Sequence, residues 1–215
     1  MNTNNTNVFL IRHAQAKNPI SPEGQKLVYG DMARITREGH EQMIALSNRF
    51  NENGMSLDTV YYSPAYRATQ SAAEFVLSLS PNLRPTTFVP DEGLRPSYIP
   101  QWIGQPEDDV GDIFEKNPKK EGDYGENPDQ VKARVLKAFQ AILRDNPGKN
   151  IGIVVHDDII ALLWSQLVFD DAETNIKELF QIKKGEGVKL IIRENGNVTS
   201  HEILKPLYSS SIEAK

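Results

Sequence analysis

Val8-Phe9-Leu10-Ile11-Arg12-His13 decides the fold: four apolar, partly β-branched residues run without interruption into a guanidinium and an imidazole. An apolar run this short reads as a strand buried on both faces, with the polar pair at its carboxyl end. The pattern returns at Ile151-Gly152-Ile153-Val154-Val155, which runs into His156-Asp157-Asp158. Thr59-Val60-Tyr61-Tyr62 has the composition of a third strand and stops at Ser63-Pro64. Helical stretches lie between these strands. Thr36 reads as the N-cap of a helix reaching about Asn51, with Met43, Ala45, Leu46 and Phe50 as its apolar stripe and Asn53-Gly54 closing it. Ser63 reads as a cap, and Pro64 as a first-turn residue, of a helix over 65–80. Helical spacing resumes over 131–143 and again over 159–168. Two final apolar runs, 187–192 and 198–204, flank Asn195-Gly196 and predict a β-hairpin. Strands alternating with helices in this way predict an α/β three-layer sandwich with a mainly parallel central sheet, helices on both faces and an antiparallel edge. Residues 81–128, rich in proline, glycine and acidic side chains and without a sustained period, read as an irregular, cap-like insertion that sets specificity. Residues 1–215 are expected to form a single domain.

Composition narrows the classes. With 39% hydrophobic and 25% charged residues the chain is an ordinary globular protein. No apolar run approaches the roughly 20 residues that span a bilayer, and the polar start lacks the basic and apolar regions of a signal peptide. No membrane partner and a cytoplasmic location are therefore expected. The absence of cysteine excludes disulfides and thiolate metal sites. A formal net charge of −5 argues against nucleic acid as a partner, since backbone affinity rests on clustered Lys and Arg. A small anionic substrate in one local positive pocket is compatible with that balance.

Of the four histidines, His40 lies in a polar helical stretch and reads as solvated, and His201 falls in an edge strand. His13 and His156 differ, because each ends an apolar strand, where a polar side chain needs partners or a purpose. In an open α/β sheet the binding crevice lies outside the carboxyl ends of the strands, where both fall. Arg12 beside His13 disfavours protonation of the imidazole and offers a planar donor fork to phosphate oxygens. Arg67, in the first turn of the following helix, adds a second fork near a helix N-terminus.

Leu10-Ile11-Arg12-His13-Ala14 resembles the Leu-x-Arg-His-Gly signature of the histidine phosphatase superfamily, which includes the phosphoglycerate mutases and many phosphatases. Thr36-Arg37-Glu38-Gly39 is similar to the family's Thr-x-x-Gly, and Ser63-Pro64-Ala65-Tyr66-Arg67-Ala68-Thr69-Gln70 to its Ser-Pro-x-x-Arg-Ala-x-Gln. Gly125-Glu126-Asn127 resembles Gly-Glu-Ser, and Val154-Val155-His156 the second-histidine strand. The resemblance implies that His13 is the phosphorylated nucleophile and that Arg12, Arg67 and His156 bind the phosphoryl oxygens, with no metal and no cofactor. The implied partner is a small phosphorylated substrate or a phosphoprotein.

The match breaks at the general acid. The family takes it from a glutamate in Leu-Arg-Glu-x-x-Phe-Gly-x-Trp, and here Leu94-Arg95-Pro96 puts proline in that place. Glu92, from the same loop, is the first-ranked substitute, and Asp157, directly after the second histidine, is the alternative. Asp157 also reads as a helix cap, although Asp158 is better placed for that role. Ala14 and Ala16 stand where the family has glycine and threonine. The expected activity is metal-independent hydrolysis of a phosphate monoester or related compound through a phosphohistidine. A phosphoglycerate mutase-type phosphotransferase, a non-catalytic phospholigand-binding protein and a metal-dependent phosphohydrolase are the alternatives. The last requires more metal ligands than the sequence offers.

Overall fold

The computed structural model describes residues 5–97, 100–110, 126, 128–169 and 182–208. Six strands, β1 (Thr6–Arg12), β2 (Thr59–Tyr62), β3 (Thr87–Pro90), β4 (Asn150–Val155), β5 (Gly187–Ile192) and β6 (Val198–Leu204), form one sheet in the order β3-β2-β4-β1-β5-β6. The first four in that order are parallel, and β5 and β6 continue the sheet as the expected antiparallel hairpin. Gly196 has a φ of 86° in the hairpin turn, a conformation that glycine adopts without steric cost.

Successive side chains of a strand point to opposite faces, and β1 serves two cores. Val8 and Leu10 face α4 (Pro128–Asp145) and α5 (Asp157–Trp164), joining Val135, Phe139, Ile159 and Leu163. Phe9 and Ile11 face α1 (Arg37–Glu52) and α2 (Tyr66–Ser78), joining Met43, Phe50, Ala72 and Phe75. This is the three-layer arrangement expected, with a further four-residue helix, α3 (Glu107–Val110), outside the layers. Thr36 is the N-cap of α1, its hydroxyl accepting from the Gly39 N–H, and Asn53 is the C-cap.

Three local expectations are corrected. The segment 81–128 is not wholly irregular, because it contributes β3, the edge strand paired with β2. Prolines 85 and 90 bracket that strand and most of it is exposed, so it carries neither length nor alternation. Pro90 is tolerated because an edge strand needs no N–H there. The helix expected over 65–80 starts at Tyr66 with Ala65 as its N-cap and no side-chain cap bond, so Ser63 and Pro64 precede it. Neither Asp157 nor Asp158 caps α5: His156 is the N-cap residue and both carboxylates lie in the first turn. The helix expected over 159–168 is α5, followed by a π-helical turn, Ser165–Phe169. Most of the proposed cap, residues 111–125 and 127, lies outside the described residues, as do Gly125 and Asn127 of the motif there. No helix among the described residues is long and apolar enough to cross a membrane.

Candidate active site

β2, β4 and β1 are parallel neighbours, so their carboxyl ends reach the same side of the sheet together. Tyr62 is in register with Val154 and Arg12 with Val155. The residues that follow, Ser63, His156 and His13, therefore line up across that end. The ladder extends one step further at two of them, through Ser63 N–H to Val154 O at 3.0 Å and His13 N–H to Val155 O at 2.8 Å.

His13 is 4% exposed and His156 3%, with ring centroids 5.1 Å apart. His13 Nδ1 lies 2.7 Å from the carbonyl oxygen of Ala14. A carbonyl only accepts, so Nδ1 carries the proton and Nε2 keeps its lone pair. Arg67 Nε donates to that Nε2 at 3.3 Å. Burial, then the Arg67 charge, hold the His13 pKa well below the usual 6.5, with Arg12 and Lys184 adding smaller pushes in the same direction against the Ala14 bond. His156 is held neutral in the same way, by burial first and Arg67 second. Its Nε2 lies 2.8 Å from Ser63 Oγ.

Arg67 reaches the site from the first turn of α2 and is itself buried, with its guanidinium 4.8 Å from the ring centroid of Tyr29. Arg12 Nη1 donates to Ile182 O at 2.6 Å and lies 3.2 Å from Asp157 Oδ1. Three buried polar nitrogens in this cluster have no hydrogen-bond partner among the described residues: Arg12 Nε, Arg67 Nη1 and His156 Nδ1. Buried donors are nearly always satisfied, and leaving one unpaired costs about 1–3 kcal/mol. Three such nitrogens on the residues gathered at this strand end are what a multivalent acceptor would satisfy. No group of three or more His, Cys, Asp or Glu side chains among the described residues is placed to hold a metal ion.

The two candidate acids each pair with an arginine but differ in burial, the Asp157 side chain being 41% exposed. Glu92 sits in a single 3₁₀ turn, Glu92–Leu94, with its side chain 75% exposed and paired with Arg95, which keeps its pKa below the usual carboxylate value. Arg95 also binds Asp31. Asp157 lies next to Arg12, and burial raises its pKa, with Asp158 adding to the rise while Arg12 and Lys184 oppose it. Asp158 is occupied elsewhere, accepting from the Ser97 N–H at 2.9 Å and the Ser97 hydroxyl at 2.5 Å.

Several roles at this end were not read from the sequence. Ser63 bonds a histidine rather than capping a helix. Ser71 Oγ accepts from the Ala14 N–H at 2.9 Å and donates to Arg67 O at 2.6 Å, tying the loop after His13 to α2. Arg134 donates to the carbonyls of Gly93 and Arg95, both at 3.0 Å, and pairs with Glu126, so it fixes the loop that holds Glu92. Tyr29 falls in a loop without period and had no local signal. Ser63 did have one, since it precedes the proline of a recognisable motif. His40 is partnered, with Nδ1 2.7 Å from Glu74 Oε2.

The family model for the histidine phosphatase superfamily (branch 1) matches residues 8–201. The chain belongs to that superfamily. Among solved structures, an Escherichia coli protein described as an alpha-ribazole-5'-P phosphatase is 22% identical with a TM-score of 0.70, over 95% of this chain and 97% of that one. A mutant phosphoserine phosphatase from Entamoeba histolytica, solved with phosphoserine, is 18% identical with a TM-score of 0.68, over 91% and 96%. The protein histidine phosphatase SixA, solved with tungstate, is 18% identical with a TM-score of 0.58, over 93% and 97%. At these identities the structural likeness establishes the shared fold. A search of curated protein sequences returned no match.

Proposed function

We propose that this histidine phosphatase superfamily member hydrolyses a phosphate monoester or related phosphorylated compound through a phosphohistidine at His13. The observation that carries the reading is the unprotonated Nε2 of His13 together with three partnerless buried nitrogens on Arg12, Arg67 and His156. Nε2 attacks phosphorus as the bond to the leaving oxygen breaks, and the lone pair becomes the N–P bond. Charge on the equatorial oxygens meets the guanidinium groups of Arg12 and Arg67. His156 serves as a donor when its Nδ1 carries the proton. In that tautomer the Ser63 hydroxyl, which also accepts from the Ala65 N–H at 3.3 Å, donates its hydrogen to His156 Nε2.

Asp157 is the better proton donor of the two candidates. A general acid must be protonated when substrate binds, and burial moves Asp157 in that direction whereas Arg95 moves Glu92 away from it. Asp157 gives its proton to the departing oxygen. As carboxylate it then accepts a proton from the water that attacks phosphorus, releasing inorganic phosphate and restoring His13. The cation roles fall to arginines, so no metal is required.

The test is acid-quench labelling with a radiolabelled phosphate ester. Wild type should form an acid-labile, base-stable phosphoprotein that turns over, and His13→Ala should form none and lose turnover by at least about 10³-fold. Comparable turnover in His13→Ala removes the assignment.

A further inference from the structure

Arg67 is a buried cation without a counter-ion: it is 7% exposed and forms an ion pair with no described residue. A guanidinium in that state is costly to bury unless something else stabilises its charge. Burial lowers its pKa, with Tyr29, Asp158 and Asp31 opposing. The two carboxylates are engaged elsewhere, Asp158 with Ser97 and Asp31 with Arg95. What lies against the guanidinium is the ring of Tyr29, with its centroid 4.8 Å from Cζ. Burial raises the Tyr29 pKa against the pull of Arg67, so the contact is with a neutral ring.

An aromatic face attracts a cation through its quadrupole and takes none of its N–H groups. A carboxylate in the same place would accept one or two of them and cancel the charge. The difference shows in the donors: Nε reaches His13 Nε2, while Nη1 has no partner among the described residues.

Tyr29 is carried by backbone that is bonded on both sides. Before it, the stretch 26–28 pairs with 104–107. Val28 N–H donates to Gln105 O at 2.8 Å, Gly104 N–H to Val28 O at 3.0 Å and Glu107 N–H to Lys26 O at 2.9 Å. Asn18 Nδ2 closes the pair, donating to Leu27 O at 3.1 Å and to Glu107 Oε1 at 2.5 Å. After it, Asp31 O accepts from the Tyr66 N–H at 2.7 Å, one residue before Arg67. The ring and the guanidinium therefore hang from two segments that are bonded directly to each other.

We infer that Tyr29 is the positioning residue of Arg67: its ring face fixes the buried guanidinium at the site while leaving its donors and its charge to the phosphoryl group. This rests on the phosphatase reading for what Arg67 binds.

The test weakens the ring by degrees in the full-length protein. Tyr29→Phe keeps the face, and Tyr29→Leu removes it. Substitution of Tyr29 by 4-fluoro-, 3,5-difluoro- and 3,4,5-trifluorophenylalanine withdraws electron density from the face with little change in size. Calorimetry reads the affinity for inorganic phosphate, and kcat/KM on an aryl phosphate is measured alongside. Tyr29→Phe should stay within about twofold of wild type, and Tyr29→Leu should weaken phosphate binding by about tenfold, with kcat/KM falling in parallel. Across the fluorinated series log Kd should rise with each added fluorine, which a ring that only fills space would not produce. If Tyr29→Leu does not fold, the fluorinated series decides alone. A flat series, or Tyr29→Leu binding phosphate as tightly as Tyr29→Phe, overturns the assignment. Phosphate binding that follows the series while no ester is hydrolysed upholds the positioning and removes the phosphatase reading. Hydrolysis with a flat series does the reverse.

Discussion

His13 and His156 are kept neutral by burial and by Arg67, which has consequences for stability as well as for catalysis. In an unfolded chain both imidazoles take up a proton near pH 6.5, but in the folded protein they do so only at lower pH. The unfolded state therefore binds more protons as pH falls below 6.5. The stability contributed by the neutral pair is complete above that value and is lost as pH falls toward the folded-state pKa values. Thermal unfolding between pH 7.5 and 5 should show a falling Tm, and His156→Asn should flatten the slope by up to about 1.4 kcal/mol per pH unit. An unchanged slope would mean that the imidazole is protonated in the fold. Asp157 gives the second prediction at this scale. Asp157→Asn should slow an alkyl phosphate by about 10²-fold or more and barely affect an aryl phosphate, whose leaving group departs without a proton. Because the raised pKa keeps Asp157 protonated only up to its own value, alkyl ester hydrolysis should decline as pH rises through it, and the aryl ester should not follow. If Glu92→Gln alone separates the two substrate types, the acid is Glu92.

The elements carry the site through close approaches that a sequence pattern does not display. A Cβ on Gly39 would lie 2.4 Å from Gln15 O and 3.3 Å from Ala14 Cβ, so the start of α1 is pressed against the loop that follows His13. Gly39→Ala must push that backbone away, and it should lower kcat/KM at least tenfold while costing about 1–3 kcal/mol of stability by overpacking. Ser71→Ala attacks the same loop from α2. It leaves the buried Ala14 N–H unpaired, for which the expected loss is about 1–3 kcal/mol, read by denaturant unfolding. Wild-type stability in either variant would show that the loop relaxes freely. The strands at the centre of the sheet were legible because they are buried on both faces and read as uninterrupted apolar runs. Arg12, His13, Arg67 and His156 were legible because strand ends and a helix start are marked by local chemistry. β3 was not, being short, exposed and bounded by prolines. Nor was the pairing of Glu92 with Arg95 or the partial burial of Asp157, since the charge state of a carboxyl depends on what folds against it.

At the scale of the molecule, the positive charge of the site is supplied by arginines fixed to the sheet and to α2. Chelation with EDTA should therefore leave turnover unchanged, and orthovanadate, a five-coordinate phosphoryl mimic, should inhibit competitively. Loss of activity with EDTA and its recovery with one divalent ion would instead favour a metal-dependent mechanism. The sheet order has a consequence of a different kind. The strand that ends in His13 lies between β4 and β5, so Asn7 bonds Asn150 across 143 residues of sequence. Synthesis delivers Val8-Phe9-Leu10-Ile11 early and both of its neighbours late. On the ribosome this apolar segment must wait, unpaired, through most of translation, and contacts of such long range are slow to form afterwards. The stretch that ends at His13 is thus an aggregation-prone segment of the nascent chain until residues 150–192 emerge to pair with it.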